Sequence, residues 1–225
     1  MIELKRVTKV YQRGTRRRRI PVRAVEGVDL KVGPGEFLVI TGRSGCGKTT
    51  LLNLLAGLAR PESGQVLVEG LDIWTMGDEG ISALRNRKMG FMFQVPSLVP
   101  TLSVLDNVVL PSMFAPKERR SHAYERAQRA LEAVGLSSLT DAFPRHLSAG
   151  EEKRVVIARS IMDSPPILLA DEPTANLDEL TEREVMALLQ RIHAGGTTII
   201  MVTHHPGLIG YGTRHLTMSD GRLLG

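Results

Sequence analysis

The chain of 225 residues has little cysteine, few aromatic side chains and no long apolar run. Its single cysteine excludes an internal disulfide and a cysteine-rich zinc site, and it suits a reducing compartment. No apolar run approaches the roughly 18 residues that a membrane-spanning helix needs, and residues 1–10 lack the apolar core of a signal peptide. At about 100–200 residues per domain, the length predicts one large domain with room for an inserted lobe.

The net charge of +5 is local, because residues 1–25 hold nine basic side chains and one acidic one. The other 200 residues carry 20 basic and 23 acidic side chains, a net charge of −3. Residues 26–225, with a net negative charge, offer no positive surface potential that would attract DNA. We therefore expect no nucleic-acid partner. Arg16–Arg19 fall in a predicted loop, which is either simply solvated or contacts ATP phosphates, a partner subunit or anionic lipid.

Short apolar runs typical of β-strands alternate with helical patterns, which predicts an α/β fold with a largely parallel sheet. The predicted strands are Ile2–Val10 and Arg23–Val32, in a small antiparallel sheet, then Glu36–Thr41, Gln65–Val68, Ile167–Ala170 and Thr197–Val202. Helices are predicted at Thr49–Ala56 and Thr181–His193. From Val95 to Leu147 the pattern is helical, with small apolar residues between 123 and 134 on one face, so this stretch is the predicted inserted lobe.

The segment Gly42-Arg-Ser-Gly-Cys-Gly-Lys-Thr49 matches the phosphate-binding pattern G-x-x-x-x-G-K-[ST], between a predicted strand and a predicted helix. Its glycines let backbone N–H groups converge on one anion at a helix N-terminus. Lys48 is predicted to reach the β- and γ-phosphates, and the Thr49 hydroxyl to ligate Mg²⁺. The predicted nucleotide-binding residues here are Gly42, Arg43, Ser44, Gly45, Cys46, Gly47, Lys48, Thr49 and Thr50.

Cys46 within this loop has two interpretations. It is either a small residue at a position that tolerates serine, or a thiol made reactive by the helix N-terminus and Lys48. In the second case, ATP binding would be sensitive to oxidation or alkylation.

Two carboxylates follow the predicted strand at Ile167–Ala170. Asp171 stands where phosphate-loop enzymes carry the aspartate that holds Mg²⁺, and parallel strands end at one sheet edge, so we expect it beside Gly42. Adjacent side chains of an extended chain point apart, so Glu172 would face an attacking water while Asp171 faces the metal. The alternative is that one of the two merely caps a helix.

Four further segments complete an ordered set that resembles the ATP-binding subunits of ABC transporters over residues 1–221. Leu147-Ser-Ala-Gly-Glu151 is similar to the family signature LSGGQ and precedes a predicted helix at Glu151–Met162. Gln94 matches the Q-loop glutamine, Ala175–Asp178 the D-loop and Thr203-His204 the switch histidine. Tyr11 stands where the family places an aromatic residue that stacks on adenine, although it could simply pack at the surface.

The resemblance implies one ABC ATPase domain over residues 1–225. Its fold class would be α/β, a P-loop NTPase core with a mostly parallel sheet, an N-terminal antiparallel β subdomain and an inserted α-helical subdomain. Residues 1–35 would belong to the β subdomain, 36–94 and 163–225 to the core, and 95–162 to the helical subdomain with the signature.

The resemblance also implies a mechanism in which two copies dimerise head to tail around two ATP molecules. The signature residues Leu147, Ser148, Ala149, Gly150 and Glu151 of one copy would close on the γ-phosphate held by Lys48 of the other, with Asp178 in the D-loop. Lys48, Glu172 and His204 would be catalytic. The cofactors would be ATP and Mg²⁺, the metal being held by Thr49, Gln94 and Asp171. Ala149, which replaces a glycine, would weaken closure only if its φ had to be positive.

Residues 98–108 and Ala170–Thr174 are similar to a subgroup that serves lipoprotein release, macrolide-type export, peptide-antibiotic resistance and cell division. The implied function is an ATPase subunit that powers such a membrane complex, in export or in lipoprotein or antimicrobial extrusion. The alternative is a regulatory ATPase of a cell-division or stress complex that moves no substrate. The implied partners are an integral membrane permease subunit and, with ATP, a second copy. The expected location is the cytoplasmic face of the plasma (inner) membrane, as a peripheral protein.

Overall fold

The computed structural model describes residues 1–15, 18–114 and 120–224. They form two compact units, Met1–Ser82 with Thr198–Gly225, and Ala83–Thr197. The strands are β1 (Ile2–Thr15), β2 (Arg18–Val32), β3 (Phe37–Thr41), β4 (Ser63–Val68), β5 (Leu71–Asp72), β6 (Met89–Met92), β7 (Ile167–Asp171), β8 (Thr198–Thr203), β9 (Arg214–Ser219) and β10 (Arg222–Leu224). The α-helices are α1 (Lys48–Leu55), α2 (Asp78–Lys88), α3 (Val104–Val109), α4 (Ala123–Ala133), α5 (Ala149–Ile161) and α6 (Glu179–Ala194). Short 3-10 segments lie at Ile73–Thr75, Leu110–Phe114, Ser137–Leu139, Pro144–His146 and Pro206–Tyr211.

The first unit opens with an antiparallel sheet in the order β2-β1-β4-β5. Strands β1 and β2 pair from Ile2 opposite Val32 out to Thr15 opposite Arg18. They are therefore longer than predicted, and the expectation that Arg18 and Arg19 lie in a loop is wrong. Arg16 and Arg17 fall outside the described residues. The outer part of the hairpin is held by main-chain hydrogen bonds, and its described side chains are exposed. Because neither face is buried, the sequence there lacks the alternation of apolar and polar residues that would indicate a strand.

A parallel set of strands completes the first unit. Strand β3 pairs in parallel with β8, Phe37 opposite Ile199, and with β9, while β10 returns antiparallel to β9. Every residue of β3 and β8 is buried. Burial on both faces explains why these strands are continuous apolar runs in the sequence, and why they could be located from it. Helix α1 begins directly after the loop that follows β3.

In its described residues, the second unit contains a parallel pair of strands, the end of α2 and helices α3 to α6. Strands β6 and β7 pair with Met89 opposite Ile167, and α5 packs on β6. Helices α3, α4 and α5 pack against one another, and α4 buries its small apolar face (Ala123, Ala127, Ala130 and Leu131). In the described part of the predicted helical stretch, α3 and α4 lie among short 3-10 segments. In the part of the chain that the structure describes, no helix is both long enough and apolar enough to span a bilayer.

Candidate functional site

The loop between β3 and α1 is shaped by glycines. Gly45 has φ 81° and Gly47, the N-cap of α1, has φ 112°, values that only glycine adopts without strain. A β-carbon at Gly47 would collide with the carbonyl oxygen of Ala24, and one at Gly42 with that of Met218. The glycines of the phosphate-binding pattern therefore serve both the turn and the close approach of neighbouring backbone.

Lys48 lies beneath this loop with only 6% of its surface exposed. Its Nζ donates hydrogen bonds to the carbonyl oxygens of Gly42 at 2.7 Å and Arg43 at 3.2 Å. The loop backbone at Ser44 and Gly45 is exposed above it. A cation under a ring of backbone groups at a helix N-terminus is chemically suited to a polyphosphate. Thr49 and Thr50 follow in the first turn of α1, where a hydroxyl can reach the same ligand.

Residues outside every recognised motif support the phosphate-binding loop, and they were not predicted from the sequence. The Gly221 N–H in the β9–β10 turn donates to the Cys46 carbonyl oxygen at 3.0 Å. Nε2 of His215 lies 2.8 Å from Oγ1 of Thr41, the last residue of β3. These contacts depend on register between distant strands, for which the sequence offers no signal. Cys46 is a free, half-buried thiol, and both interpretations of it stay predictions.

Tyr11 and His204, also in the first unit, are both accessible. Tyr11 lies on β1 with 42% of its surface exposed, and Lys9 Nζ is 5.3 Å from the centre of its ring. His204 is exposed directly after β8, and the N–H of His205 next to it donates to Thr203 Oγ1 at 3.1 Å. The Tyr11 ring and the His204 imidazole are both exposed to solvent, and their roles stay predictions.

In the second unit, Asp171 ends β7 and is buried, as is Glu172. The expectation that the chain continues extended through Glu172 is wrong, because Glu172 has φ 46°. The chain turns there, and the Ala175 N–H donates back to the Glu172 carbonyl oxygen at 3.1 Å. A left-handed conformation at a non-glycine residue costs about 1–2 kcal/mol and is often found at functional sites. That Asp171 lies beside Gly42 stays a prediction.

The signature segment begins helix α5 at Ala149, two residues earlier than predicted, because Ser148 caps it. Ser148 Oγ accepts from the Glu151 N–H at 3.3 Å, and Glu151 Oε2 accepts from the Ser148 N–H at 2.8 Å and from its hydroxyl at 2.8 Å. These hydrogen bonds from Ser148 lower the pKa of Glu151. Ala149 is not among the described residues with positive φ, so its methyl group brings no backbone strain.

The D-loop aspartate is linked to the signature through one threonine. Asp178 caps α6 by accepting from the Thr181 N–H at 3.0 Å and from its hydroxyl at 2.6 Å. A β-carbon built on Gly150 would lie 2.6 Å from Thr181 Cγ2. The structure thus brings Gly150 and Asp178 onto the same threonine, a contact that nothing in the sequence indicates.

Gln94 is exposed in the segment that follows β6, and its carbonyl oxygen accepts a hydrogen bond from Lys153 Nζ at 3.0 Å. Sequence reasoning overlooked Lys153. A signal was available, since Lys153 precedes the buried Val156 and Ile157 by three and four residues and so shares their helix face.

Comparison with known proteins agrees with these features. The sequence profile of the ABC transporter family matches residues 25–175. The lipoprotein-releasing system ATP-binding protein LolD of Syntrophotalea carbinolica is 42% identical over 226 residues, which cover 100% of this chain and 97% of LolD. The macrolide export ATP-binding/permease protein MacB of Chlorobaculum tepidum is 41% identical over 98% of this chain but only 33% of MacB. A dimeric, post-hydrolysis structure of the ATP-binding cassette MJ0796, bound to ADP and Pi, superimposes with a TM-score of 0.88 at 35% identity, covering 100% of this chain and 97% of that one.

The match to an ATP-binding cassette over the whole chain confirms the fold class expected from the sequence. An antiparallel N-terminal sheet, parallel strand pairs and a set of helices are present as that class requires. The chain belongs to the ABC transporter family, as one of its ATP-binding ATPases.

Proposed function

We propose that this chain powers a membrane complex of the lipoprotein-release and macrolide-export group by ATP-driven closure of a homodimer. The observation that carries the proposal is the loop of residues 42–48, in which a buried lysine lies under exposed backbone at the start of a helix. The relatives named above support the group, since this chain is about 40% identical to both over nearly its full length.

The residues proposed to hold Mg²⁺ fit that ion chemically. They are the Thr49 hydroxyl, the Gln94 amide and the Asp171 carboxylate, all oxygen donors of the kind that Mg²⁺ prefers. Among the described residues no group of three or more His, Cys, Asp or Glu side chains is placed to hold a metal. The set of Thr49, Gln94 and Asp171, with its single carboxylate, suits a Mg²⁺ ion that is bound largely through the phosphates of the substrate. When bound, Mg²⁺ would neutralise charge on the β- and γ-phosphates.

Each catalytic residue has a distinct role in this proposal. Lys48 holds the β- and γ-phosphates, and Tyr11 stacks on adenine. Glu172 takes a proton from the attacking water, whose oxygen forms a bond to the γ-phosphorus while the bond to the ADP oxygen breaks. His204 contacts the γ-phosphate as charge moves to the leaving group. The left-handed backbone at Glu172 supports this role, because strained non-glycine residues cluster at functional sites.

Dimer closure assigns the signature to the partner copy's nucleotide. Ser148 and the Gly150 N–H, at the start of α5, would bind the γ-phosphate held by Lys48 of the other copy. In the single chain the Ser148 hydroxyl donates a hydrogen bond to Glu151 Oε2. Closure of the dimer would replace this hydrogen bond with one to the γ-phosphate. Hydrolysis removes the γ-phosphate that bridges the two copies. The closed dimer is then no longer more stable than the open state, and it opens.

We also propose an integral membrane permease as partner, with this chain bound peripherally at the cytoplasmic face of the inner membrane. Several large apolar side chains of the second unit support a partner surface. Val95, Met113 and Phe114 are 68%, 62% and 78% exposed. A continuous exposed apolar patch marks an interaction site, and Met113 and Phe114 are adjacent in the chain.

The decisive experiment uses Glu172→Gln, with Lys48→Ala as the variant that should not retain nucleotide. Without its base, Glu172→Gln should bind MgATP and accumulate as a dimer in size-exclusion chromatography, with ATPase activity reduced about 10²–10⁴-fold. Lys48→Ala should stay monomeric. If Glu172→Gln binds MgATP but elutes only as a monomer, ATP-driven closure is wrong. ATPase assays with and without the co-purified permease would then distinguish coupled transport from a regulatory role.

A further inference from the structure

Two cations of the signature helix hold the backbone of the segment that follows β6. Lys153 Nζ donates to the carbonyl oxygen of Gln94 at 3.0 Å. Six residues further along α5, Arg159 donates through Nη2 to the carbonyl oxygen of Pro96 at 2.8 Å and through Nη1 to that of Ser97 at 3.0 Å. Three of four consecutive carbonyl groups therefore bond to one helix.

Lys153 is buried and Arg159 is half-buried. Lys153 is only 5% exposed, and this burial lowers its pKa. The charges of Glu152, Asp171 and Glu172 oppose the shift, so these carboxylates lie within electrostatic reach of the ammonium group. Burial also lowers the pKa of Arg159. A buried cation is expensive where an apolar side chain would pack equally well, so its presence calls for a reason beyond packing.

The bonds fix the conformation of a segment whose side chains point outward. Ser97 has φ 49°, and its hydroxyl donates to the carbonyl oxygen of Val95 at 3.1 Å. The residues on either side of Gln94 present their side chains to solvent, Phe93 at 43% and Val95 at 68% exposure. The two cations thereby fix the main chain from which the Gln94 side chain projects.

We propose that Lys153 and Arg159 form a clamp that positions Gln94 on the signature helix, so that the Q-loop segment and α5 move as one body. Lys153 is the positioning residue closest to Gln94. The existence of the clamp rests on the hydrogen bonds above. Its effect on catalysis rests on the proposed function, in which Gln94 contributes to ATP hydrolysis. Through it, a displacement of residues 94–97 by a partner reaches the Ser148 end of α5 directly.

The clamp can be tested without any enzymatic activity. Cys46→Ser removes the only thiol, and Val95→Cys then carries a single nitroxide on the clamped segment. Lys153→Met, which keeps the side-chain length but removes the charge and the donor, should shorten the rotational correlation time of the label at least about twofold. Arg154→Met is the matched control, because Arg154 is next in sequence and pairs with the exposed Glu184 at 3.3 Å. Equal spectra in Lys153→Met and Arg154→Met overturn the clamp.

The positioning role is tested by steady-state kinetics on the unlabelled chain. Lys153→Met should lower kcat about tenfold, within the range for loss of a residue that orients a ligand, and should change KM for MgATP less than about threefold. A purely structural lysine would lower thermal stability and leave kcat per folded molecule unchanged, which would overturn the role. If Lys153→Met does not fold, Arg159→Lys, which keeps the charge but loses the paired donors, should mobilise the same label. Absence of ATPase activity in the unsubstituted chain would defeat the proposed function, while the label still decides the clamp.

Discussion

The contact between Gly150 and Thr181 makes a sharp prediction for Gly150→Ala. The added methyl group would lie 2.6 Å from Thr181 Cγ2, well inside van der Waals contact. Thr181 cannot turn away freely, because Asp178 holds both its N–H and its hydroxyl. Overpacking of this kind costs about 1–3 kcal/mol, and loss of the Asp178 cap would add about 1 kcal/mol. Alanine recovers up to about 1 kcal/mol through its higher helix propensity, which leaves a net loss of about 1–3 kcal/mol.

A double-mutant cycle isolates the contact. Thr181→Ser removes Cγ2 but keeps the hydroxyl that Asp178 binds, so Gly150→Ala in that background should be neutral or slightly stabilising. At about 2–4 °C per kcal/mol for a chain of this size, Gly150→Ala alone should lower Tm by about 2–12 °C in thermal unfolding followed by circular dichroism. The coupling between the two substitutions should exceed about 1 kcal/mol. If Gly150→Ala lowers Tm equally in both backgrounds, the steric argument is refuted.

Three other substitutions test separate features. Gly42→Ala, whose methyl group would collide with the Met218 carbonyl oxygen, should abolish MgATP binding in calorimetry, whereas Gly45→Ala, which has open space and only the backbone strain of its φ of 81°, should weaken binding less; equal losses would contradict the packing argument. Tyr11→Ala should raise KM for ATP roughly 5–150-fold, the equivalent of about 1–3 kcal/mol of base stacking, and Tyr11→Phe should not; an unchanged KM in Tyr11→Ala would assign Tyr11 to surface packing. Hydrogen bonds from Thr181 hold the pKa of Asp178 below its ordinary value of 3.8, so its stabilising effect is present above that pH and is lost as the pH falls below it. Asp178→Asn should therefore lower Tm at pH 5–7, with a difference that disappears in the acid range; a pH-independent difference would show that the charge is irrelevant.

Strands and loops with strong local constraints were predictable from the sequence. The buried strands β3, β7 and β8 lie within one residue of the predicted bounds, because burial on both faces requires an unbroken apolar run. The phosphate loop was predictable because its turn and the close approach of neighbouring backbone both require glycine at fixed positions.

Features that depend on partners far along the chain were not predictable. The outer part of the β1–β2 hairpin is maintained by main-chain pairing, and main-chain groups are common to all residues. The turn at Glu172 places a non-glycine residue at positive φ, against its local preference. The role of Lys153 depends on a carbonyl group 59 residues earlier, which no pattern within α5 could reveal.

The backbone around the phosphate loop has a consequence for shortened forms of the chain. The groups that confine Gly42 and Cys46 come from Met218 and Gly221, more than 170 residues further along the sequence. A fragment that stops before β9 contains every residue of the phosphate-binding motif but not the strand and turn that support it. Possession of the motif is therefore not sufficient for the loop geometry, which requires pairing between distant parts of the chain.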